Sequence, residues 1–441
     1  MAVLTLTDFD RPAKRCPVEW NMGSAALGGG FTAEWNDPRA SPHRAIRSGR
    51  LSPATTMQGG AVTVSGPPPV RIGVVGAGFM GRQHIDFVRA STGAALAAIA
   101  DPAVTITEAA CPTYPSTARM LDAEQLDAVI VANPNALHVD TAVACLEAGV
   151  AVLLEKPVAV SYAQSRRLVD AVERLNGRLL VGHHRRHHLA VARARAAIGD
   201  GELGQVVAVT ALWSARKEPE YFIDTPWHSQ PGAGVTLINA VHDLDLLRHL
   251  CGEVAEVQAM QSSHARGLEV EDTISLTLRF ENGALGSLLA SDAGVSPWGW
   301  DQATEETPAF PFLPDEVAYR IVGTRAALSV PNLARYGYDA SVPPDWHSPL
   351  SRTYLPVTPR ASFPAQLDHF LEVARGTTAP LVSADDASRT LALVEAAALA
   401  ARSGRTVDVR RFQAAAQTDV AAHPDDASPD HPATGGRDGG A

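Results

Sequence analysis

Cysteine is scarce in this chain. Four residues in 441, Cys16, Cys111, Cys145 and Cys251, lie far apart, and none forms a C-x-x-C pair. That spacing excludes a disulfide framework and a cysteine-based zinc site, and a reducing cytoplasmic location is expected. Long apolar runs are missing as well. None approaches the roughly 20 residues of a membrane span, so no membrane partner is expected. The N-terminus has no basic segment leading into an apolar run, and no signal peptide is read. Positive charge is in deficit: 37 Lys and Arg face 48 Asp and Glu, for a formal net charge of −11. The balance argues against nucleic acid as a general partner, which needs a basic face. It leaves room for one phosphate-bearing ligand, because N–H groups at a helix N-terminus hold phosphate without Lys or Arg.

What is present suffices for two to three domains: 441 residues, 46% hydrophobic, at roughly 150 residues per domain. Residues 1–66 mix Gly, Pro, Ser, Thr and Arg without sustained periodicity and read as a disordered extension. Residues 412–441, rich in Asp, Pro, Gly and Ala, read as a disordered tail. Between them the pattern alternates. "RIGVVG", "ALAAIAD", "DAVIVAN", "VAVLLEKP" and "RLLVGHH" read as strands, with helices "FMGRQHIDFVRA", "LHVDTAVACLEAG" and "YAQSRRLVDAVERL" among them. Short apolar runs between helices of this length predict a Rossmann-type, doubly wound parallel sheet over 67–186. From 187 to 411 the strands are closely spaced ("GQVVAVTALW", "EVAEVQAMQSS", "DTISLTLRF", "ALGSLLASD") and two long helices follow. That predicts an α+β domain with an open, mostly antiparallel sheet.

"GVVGAGFMG" carries G-x-G-x-x-G at Gly76, Gly78 and Gly81, directly after a strand and opening a helix. Gly76 permits the turn, Gly78 lets backbone approach a pyrophosphate, and Gly81 allows close helix–strand packing. Phe79 and Met80 complete the candidate cofactor contacts of this turn. Asp101 follows Gly81 by 20 positions, at the end of the second strand, where a carboxylate accepts from ribose hydroxyls and repels a 2′-phosphate. NAD is therefore favoured over NADP. Asn133, Pro134 and His138 follow the next strand, at the cofactor edge.

"VLLEKPVAV" ends a strand with Glu155, Lys156 and Pro157. Ligands of open α/β sheets bind outside the carboxyl ends of the strands, which puts Glu155 and Lys156 beside the nicotinamide. Pro157 restricts the backbone of Lys156 and is compatible with a cis bond. Locally, an exposed lysine paired with Glu155 is the favoured reading.

"GVVGAGFMGRQH", "VIVANPNALHVDTAVACLEAGVAVLLEKPVA" and "VHDLDLLRHLCGEV", in this order and spacing, resemble the Gfo/Idh/MocA oxidoreductase family over residues 70–410. The resemblance implies a catalytic lysine at Lys156 and a histidine acid/base at His242. It also implies a C-terminal domain that carries a sugar or polyol pocket, with an open sheet that often joins subunits into dimers or tetramers. The local pattern at His242 favours a bland reading, a polar residue off the buried stripe of an ordinary helix. The resemblance reverses it. Inositol dehydrogenase-like members carry Asp four residues before this histidine. Ile238 stands there instead, and Asn239, three before, cannot take a proton. Asp243 either replaces the missing acid or serves the helix.

"GHHRRHH" sets His183/His187 and His184/His188 at i, i+4 spacing, but no third ligand stands out and no metal is expected. His184 or Arg185 is expected to line the site mouth, with the others solvated. Loop aromatics Tyr221, Trp227, Trp298 and Trp300 suit a sugar ring and suit packing equally. Candidate substrate residues are thus Lys156, Arg185, Trp227, Asn239, His242 and Asp243. The expected activity is NAD-dependent hydride transfer at a secondary alcohol or carbonyl of a sugar, polyol or related ring. His242 serves as base and Lys156 stabilises the oxygen. The alternatives are a carbonyl or imine reductase, an oxidoreductase that recycles tightly held NADP(H), and a non-catalytic NAD sensor.

Overall fold

The computed structural model describes residues 67–103, 111–230, 232–306, 310–358 and 360–422. The extension expected over 1–66 lies outside the described residues, as do 423–441.

Six strands form the first sheet: β1 (Val70–Val75), β2 (Ala94–Ala100), β3 (Thr113–Tyr114), β4 (Ala128–Val131), β5 (Ala151–Leu154) and β6 (Leu179–Val181). Their order is β3-β2-β1-β4-β5-β6, and every neighbour pair is parallel. All residues of β4 and β5 are buried, which is why both segments read as unbroken apolar runs: helices cover both faces. The strand order reverses between β1 and β4, and the crevice at their carboxyl ends is the general ligand position of such sheets.

The second sheet has nine strands: β7 (Val206–Ser214), β8 (Val254–Ser262), β9 (Thr273–Phe280), β10 (Leu285–Ser291), β11 (Tyr319–Gly323), β12 (Ala326–Val330), β13 (Ala334–Gly337), β14 (Ser351–Tyr354) and β15 (Val407–Asp408). The order is β14-β13-β12-β11-β7-β10-β9-β8-β15. All pairs are antiparallel except β7 with β10. Burial alternates strictly along β9 and β10, so one face packs and the other stays open.

The helix Ala384–Ser403 ties the two cores together. Ser383 caps it by accepting from the Asp386 N–H at 3.1 Å. Its Ala384, Ala387 and Leu391 pack into the core of the first sheet, while Leu393, Val394 and Ala397 pack into that of the second.

The tail expected from 412 needs correction. Residues Val409–Ala422 form a helix. Val409 and Phe412 pack on the second core, and Gln417 Nε2 donates to the Tyr162 hydroxyl at 2.9 Å. Its Ala and Gln residues are strong helix formers, and one aromatic anchor is enough to dock them.

Candidate active site

The glycine turn is built for close approach. Gly76 sits at φ +87°, and a Cβ there would meet the Ala132 carbonyl oxygen at 2.5 Å. A Cβ on Gly81 would fall 1.9 Å from the Gly76 oxygen, so the helix Phe79–Ala90 rests directly on the turn. A Cβ on Gly78 would meet nothing within 4 Å. Space therefore opens where the first N–H groups of an uncapped 12-residue helix point. Phe79 is exposed and Met80 half-buried at the rim. The Asp101 carboxylate accepts from the Ala77 N–H at 2.7 Å and the Ala103 N–H at 2.8 Å, fixing the acid beside the turn.

The next two strand ends are braced by His138, which is buried. Its Nδ1 lies 2.8 Å from the Pro157 oxygen and its Nε2 2.9 Å from the Asn133 oxygen. Asn133 donates through Nδ2 to Thr141 Oγ1 at 2.8 Å, and its Oδ1 is buried without a partner. Pro134 is exposed beside it. An orphaned acceptor, an open glycine and unsatisfied helix N–H groups on one sheet edge fit a dinucleotide. Gly76, Gly78, Gly81, Asp101 and Asn133 are residues that could hold it.

The Lys156–Pro157 bond is cis. Lys156 is not the exposed partner of Glu155 that its local sequence allowed. Glu155 is buried; its Oε1 lies 2.7 Å from His84 Nε2, and its Oε2 accepts from the Lys156 backbone N–H at 3.1 Å. Burial alone would raise the Glu155 pKa, but His84 and the Lys156 charge hold it below the usual carboxylate range. Lys156 is half-buried, and among the described residues its Nζ has no hydrogen bond or ion pair. Burial lowers its pKa against the opposing charge of Glu155.

His242 stands at the start of Val241–Cys251, after a single π-helical turn, Thr236–Ala240. This is no surface helix. From Thr236 to Cys251 only Leu237, Ile238, Asn239 and His249 keep intermediate exposure, and the rest are buried. The His242 Nδ1 is buried and unpartnered, with the rings of His184 and His183 edge-on at 5.2 and 6.3 Å. Burial, reinforced by the charges of Lys156 and Arg185, holds the imidazole well below its ordinary 6.5. At neutral pH it is an uncharged base.

The remaining candidates divide. Arg185 is buried between Asp243 at 3.3 Å and Asp301 at 3.5 Å, over the Trp300 ring. Asp243 is wholly buried and accepts from the Tyr319 hydroxyl at 2.5 Å, which puts its carboxylate behind the site wall and not on its surface. Asn239 accepts through Oδ1 from Lys217 Nζ at 2.7 Å. Trp227 stays exposed on the loop with His228, and Trp300 is core packing.

The histidine run also needs correction. His183, Arg185, Arg186 and His187 are all buried, not solvated. Arg186 forks onto Asp245 at 2.8 and 2.6 Å and also binds Asp386, while His187 faces His369 at 2.9 Å. A four-residue 3-10 turn, His184–His187, sends its four side chains to different partners, with His184 on Phe363 and Arg185 on Asp243. Among the described residues no group of three or more His, Cys, Asp or Glu is placed to hold a metal ion. No helix among them is long and apolar enough to cross a membrane. Sequence reasoning missed His84, Lys217, Asp301 and Tyr319. His84 follows Gly81 by three, one helical turn on, which is a usable signal. The other three are joined to the site only by tertiary contacts.

A dinucleotide turn, a lysine with no counter-ion and a neutral buried histidine, gathered where a Rossmann sheet meets a second sheet, define a nicotinamide-dependent oxidoreductase. Residues 70–183 match the family described as "Oxidoreductase family, NAD-binding Rossmann fold", and 191–329 match the "GFO/IDH/MocA C-terminal domain". The chain is 30% identical to the D-apiose dehydrogenase of Paraburkholderia graminis, over 78% of this chain and 90% of that one. It is 24% identical to an inositol 2-dehydrogenase of Rhizobium meliloti, over 77% and 99%. A solved structure of the WlbA dehydrogenase from Bordetella pertussis, with NADH and UDP-GlcNAcA, superposes with a TM-score of 0.61 at 25% identity, over 77% of this chain and 98% of that one. The chain belongs to the Gfo/Idh/MocA oxidoreductase family, and its cofactor is NAD.

Proposed function

We propose that this enzyme interconverts a secondary alcohol and the corresponding carbonyl on a sugar, polyol or related cyclic hydroxylated compound. The reading is carried by His242, whose Nδ1 is buried and unpartnered and whose ring feels the charge of Lys156, a residue whose own ammonium forms no hydrogen bond or ion pair among the described residues. NAD, when bound, supplies the hydride acceptor. In the oxidative direction His242 takes the hydroxyl proton. Lys156 donates a hydrogen bond to the same oxygen and stabilises the charge that develops there. Glu155 accepts from the lysine's backbone N–H, and His138 contacts the oxygen of the next residue, Pro157. The relatives named for apiose and inositol support the substrate class.

The open face of the nine-stranded sheet supports a homo-oligomer, and Cys111, Cys145 and Cys251, the cysteines among the described residues, form no disulfide, which suits the cytoplasm. The deciding experiment is a panel of aldoses, uronic acids and cyclitols with NAD and NADP, read by absorbance of the reduced cofactor. NAD-linked turnover of at least one ring substrate, abolished in Lys156→Ala and His242→Ala without loss of NAD binding, is expected. Near-normal kcat in both variants overturns the mechanism.

A further inference from the structure

Three of the four histidines in the run are engaged. His183 Nδ1 faces Asp245 at 3.7 Å, His187 Nε2 faces His369 at 2.9 Å, and His188 Nδ1 accepts from the Ala190 N–H at 3.2 Å. His184 differs. Among the described residues neither of its ring nitrogens has a hydrogen bond, and neither is closed off from solvent. The ring is held by packing instead. It lies flat on Phe363, at the start of the helix Ser362–Arg375, with 4.1 Å between centroids and 13° between planes. Phe363 lies in turn on Phe87, of the helix that opens on the glycine turn, at 5.5 Å and 17°. A further side of the His184 ring belongs to the site: its centroid is 5.2 Å from that of His242, edge to face. His242 is itself open at one atom. Its Nδ1 is buried, whereas Nε2 is neither buried nor partnered among the described residues. The two imidazoles therefore stand together with free nitrogens. Burial, followed by the charges of Arg185 and Lys156, keeps His184 well below 6.5 and uncharged at neutral pH. A neutral imidazole offers one donor and one acceptor, and a hydroxyl offers both as well, so the two match whichever nitrogen carries the proton.

We propose that His184 is a specificity-determining residue that hydrogen-bonds a substrate hydroxyl on the carbon next to the one oxidised, which makes the preferred substrate a vicinal diol. The inference rests on the proposed hydride transfer, with the reacting oxygen on His242. Gauche oxygens on adjacent ring carbons lie about one hydrogen-bond length apart. An imidazole set beside the base therefore meets the neighbouring oxygen and not a remote one. A site that hydrogen-bonds a hydroxyl rejects the analogue that lacks it, because its own polar group is left without a partner. The stack on Phe363 fixes the His184 ring before the substrate arrives, which sharpens that choice.

The test takes the aldose, uronic acid or cyclitol that is turned over fastest with NAD and compares it with its monodeoxy form, such as 2-deoxyglucose for glucose or a deoxyinositol for myo-inositol. Removing the hydroxyl beside the oxidised carbon is expected to lower the wild-type kcat/KM at least about tenfold. His184→Phe keeps a ring on Phe363 and removes both nitrogens. It is expected to lower kcat/KM for the parent by a similar factor and to leave the deoxy form within about twofold of wild type, so that the difference between the two substrates disappears. Melting temperature and NAD affinity are expected to hold. An equal deoxy penalty in wild type and folded His184→Phe overturns the inference and leaves the functional reading standing. So does a wild type that turns over the deoxy form as well as the parent. Weakened NAD binding in His184→Phe, with both substrates reduced alike, also overturns it and assigns the ring to the cofactor. No turnover of any ring substrate overturns the functional reading, and the inference with it.

Discussion

Glu155 Oε1 lies 2.7 Å from His84 Nε2, and this contact, between two buried side chains, decides the charge state of the residue between the strand and Pro157. Engaged by His84 and by the Lys156 backbone, the Glu155 carboxylate forms no ion pair with the Lys156 ammonium. Its field still opposes the desolvation that pulls Lys156 below 10.5. Glu155→Gln removes that support and lowers the Lys156 pKa further. The charged lysine is the active form, so activity is lost as pH rises through its pKa. The variant's basic limb of kcat is therefore expected at lower pH than in wild type, in a pH–rate profile whose acid limb is unmoved.

The acid limb belongs to His242. Burial, followed by the Lys156 and Arg185 charges, favours the neutral ring, so the base is lost only when pH falls well below 6.5. The acid limb of kcat/KM for alcohol oxidation is expected below 6.5 for that reason. His242→Ala is expected to lower kcat by about 10²–10⁴-fold, the usual worth of a positioned base. Lys156→Met is expected to lower it about 10²–10³-fold, as for loss of one oxyanion donor. Removing the lysine's charge also moves the residual acid limb upward, toward 6.5. A limb that stays in place would show that the two groups are not coupled.

The glycines separate folding from binding. Gly78 adopts φ −69°, ψ −162°, open to any residue, and its Cβ position is empty. Gly78→Ala is expected to change stability by no more than about 0.5 kcal/mol. It should raise the NAD Kd at least about tenfold, about 1.4 kcal/mol, because the methyl occupies the space of the pyrophosphate. Gly81→Ala puts a methyl 1.9 Å from the Gly76 oxygen and is expected to cost about 1–3 kcal/mol in folding. Paired titration calorimetry and thermal melts read both. A Gly78→Ala enzyme with unchanged NAD affinity would place the pyrophosphate elsewhere.

Much of this was legible in the residues. The helices Phe79–Ala90 and Tyr162–Leu175 coincide with their periodic stretches, because each packs one apolar stripe on a sheet. The roles expected of Lys156 and His242 rest on the family resemblance, since local pattern favours an exposed lysine and a bland histidine. The glycine turn, Asp101 and the E-K-P segment were legible because local spacing ties them to strand ends. Strands β11 to β14 were not: they are four or five residues long, and Pro331 and Gly323 interrupt their pattern. Nor was the burial of the histidine run. Arg186 finds Asp245 59 positions away and Asp386 200 positions away, so its partners lie far outside any local window. Helical spacing alone set His242 off the buried stripe, whereas the structure buries His242, Asp243 and Asp245 together in the helix Val241–Cys251.

Asp245 carries the largest stability prediction. It is 1% exposed and accepts from Arg186 at 2.6 and 2.8 Å and from the Thr390 hydroxyl at 3.0 Å. Burial would raise its pKa, but His183, Arg186 and Arg248 hold it far below 3.8. A depressed folded-state value contributes stability that is complete above 3.8 and lost as pH falls through the folded value. At neutral pH Asp245→Ala leaves the buried Arg186 guanidinium with Asp386 as its one remaining carboxylate partner and is expected to cost about 3 kcal/mol. Arg279→Ala, which breaks an exposed pair with Glu256, serves as control and is expected within about 0.5 kcal/mol of wild type. Urea midpoints at neutral pH decide between them. Equal effects would mean that the buried network contributes no more than a surface pair.

The open sheet face makes the last prediction. Val207 on β7, Leu285 and Leu289 on β10 and Val322 on β11 are each 42–49% exposed on three adjacent strands. Nine strands spaced about 4.8 Å apart make a face about 40 Å across, wide enough for the roughly 800 Å² per partner of a stable interface. An apolar stripe left open on such a surface signals association, since monomers seldom expose one. The chain is expected to run as a dimer or tetramer by light scattering after size exclusion. Leu285→Asp, which puts a charge in the row that Val322, Val207 and Leu285 form across the three strands, is expected to shift it to monomer. His242 and Lys156 lie on elements packed against the other face or on the first sheet, so a monomeric variant is expected to keep its NAD affinity. A wild-type monomer would leave this stripe without a self-partner.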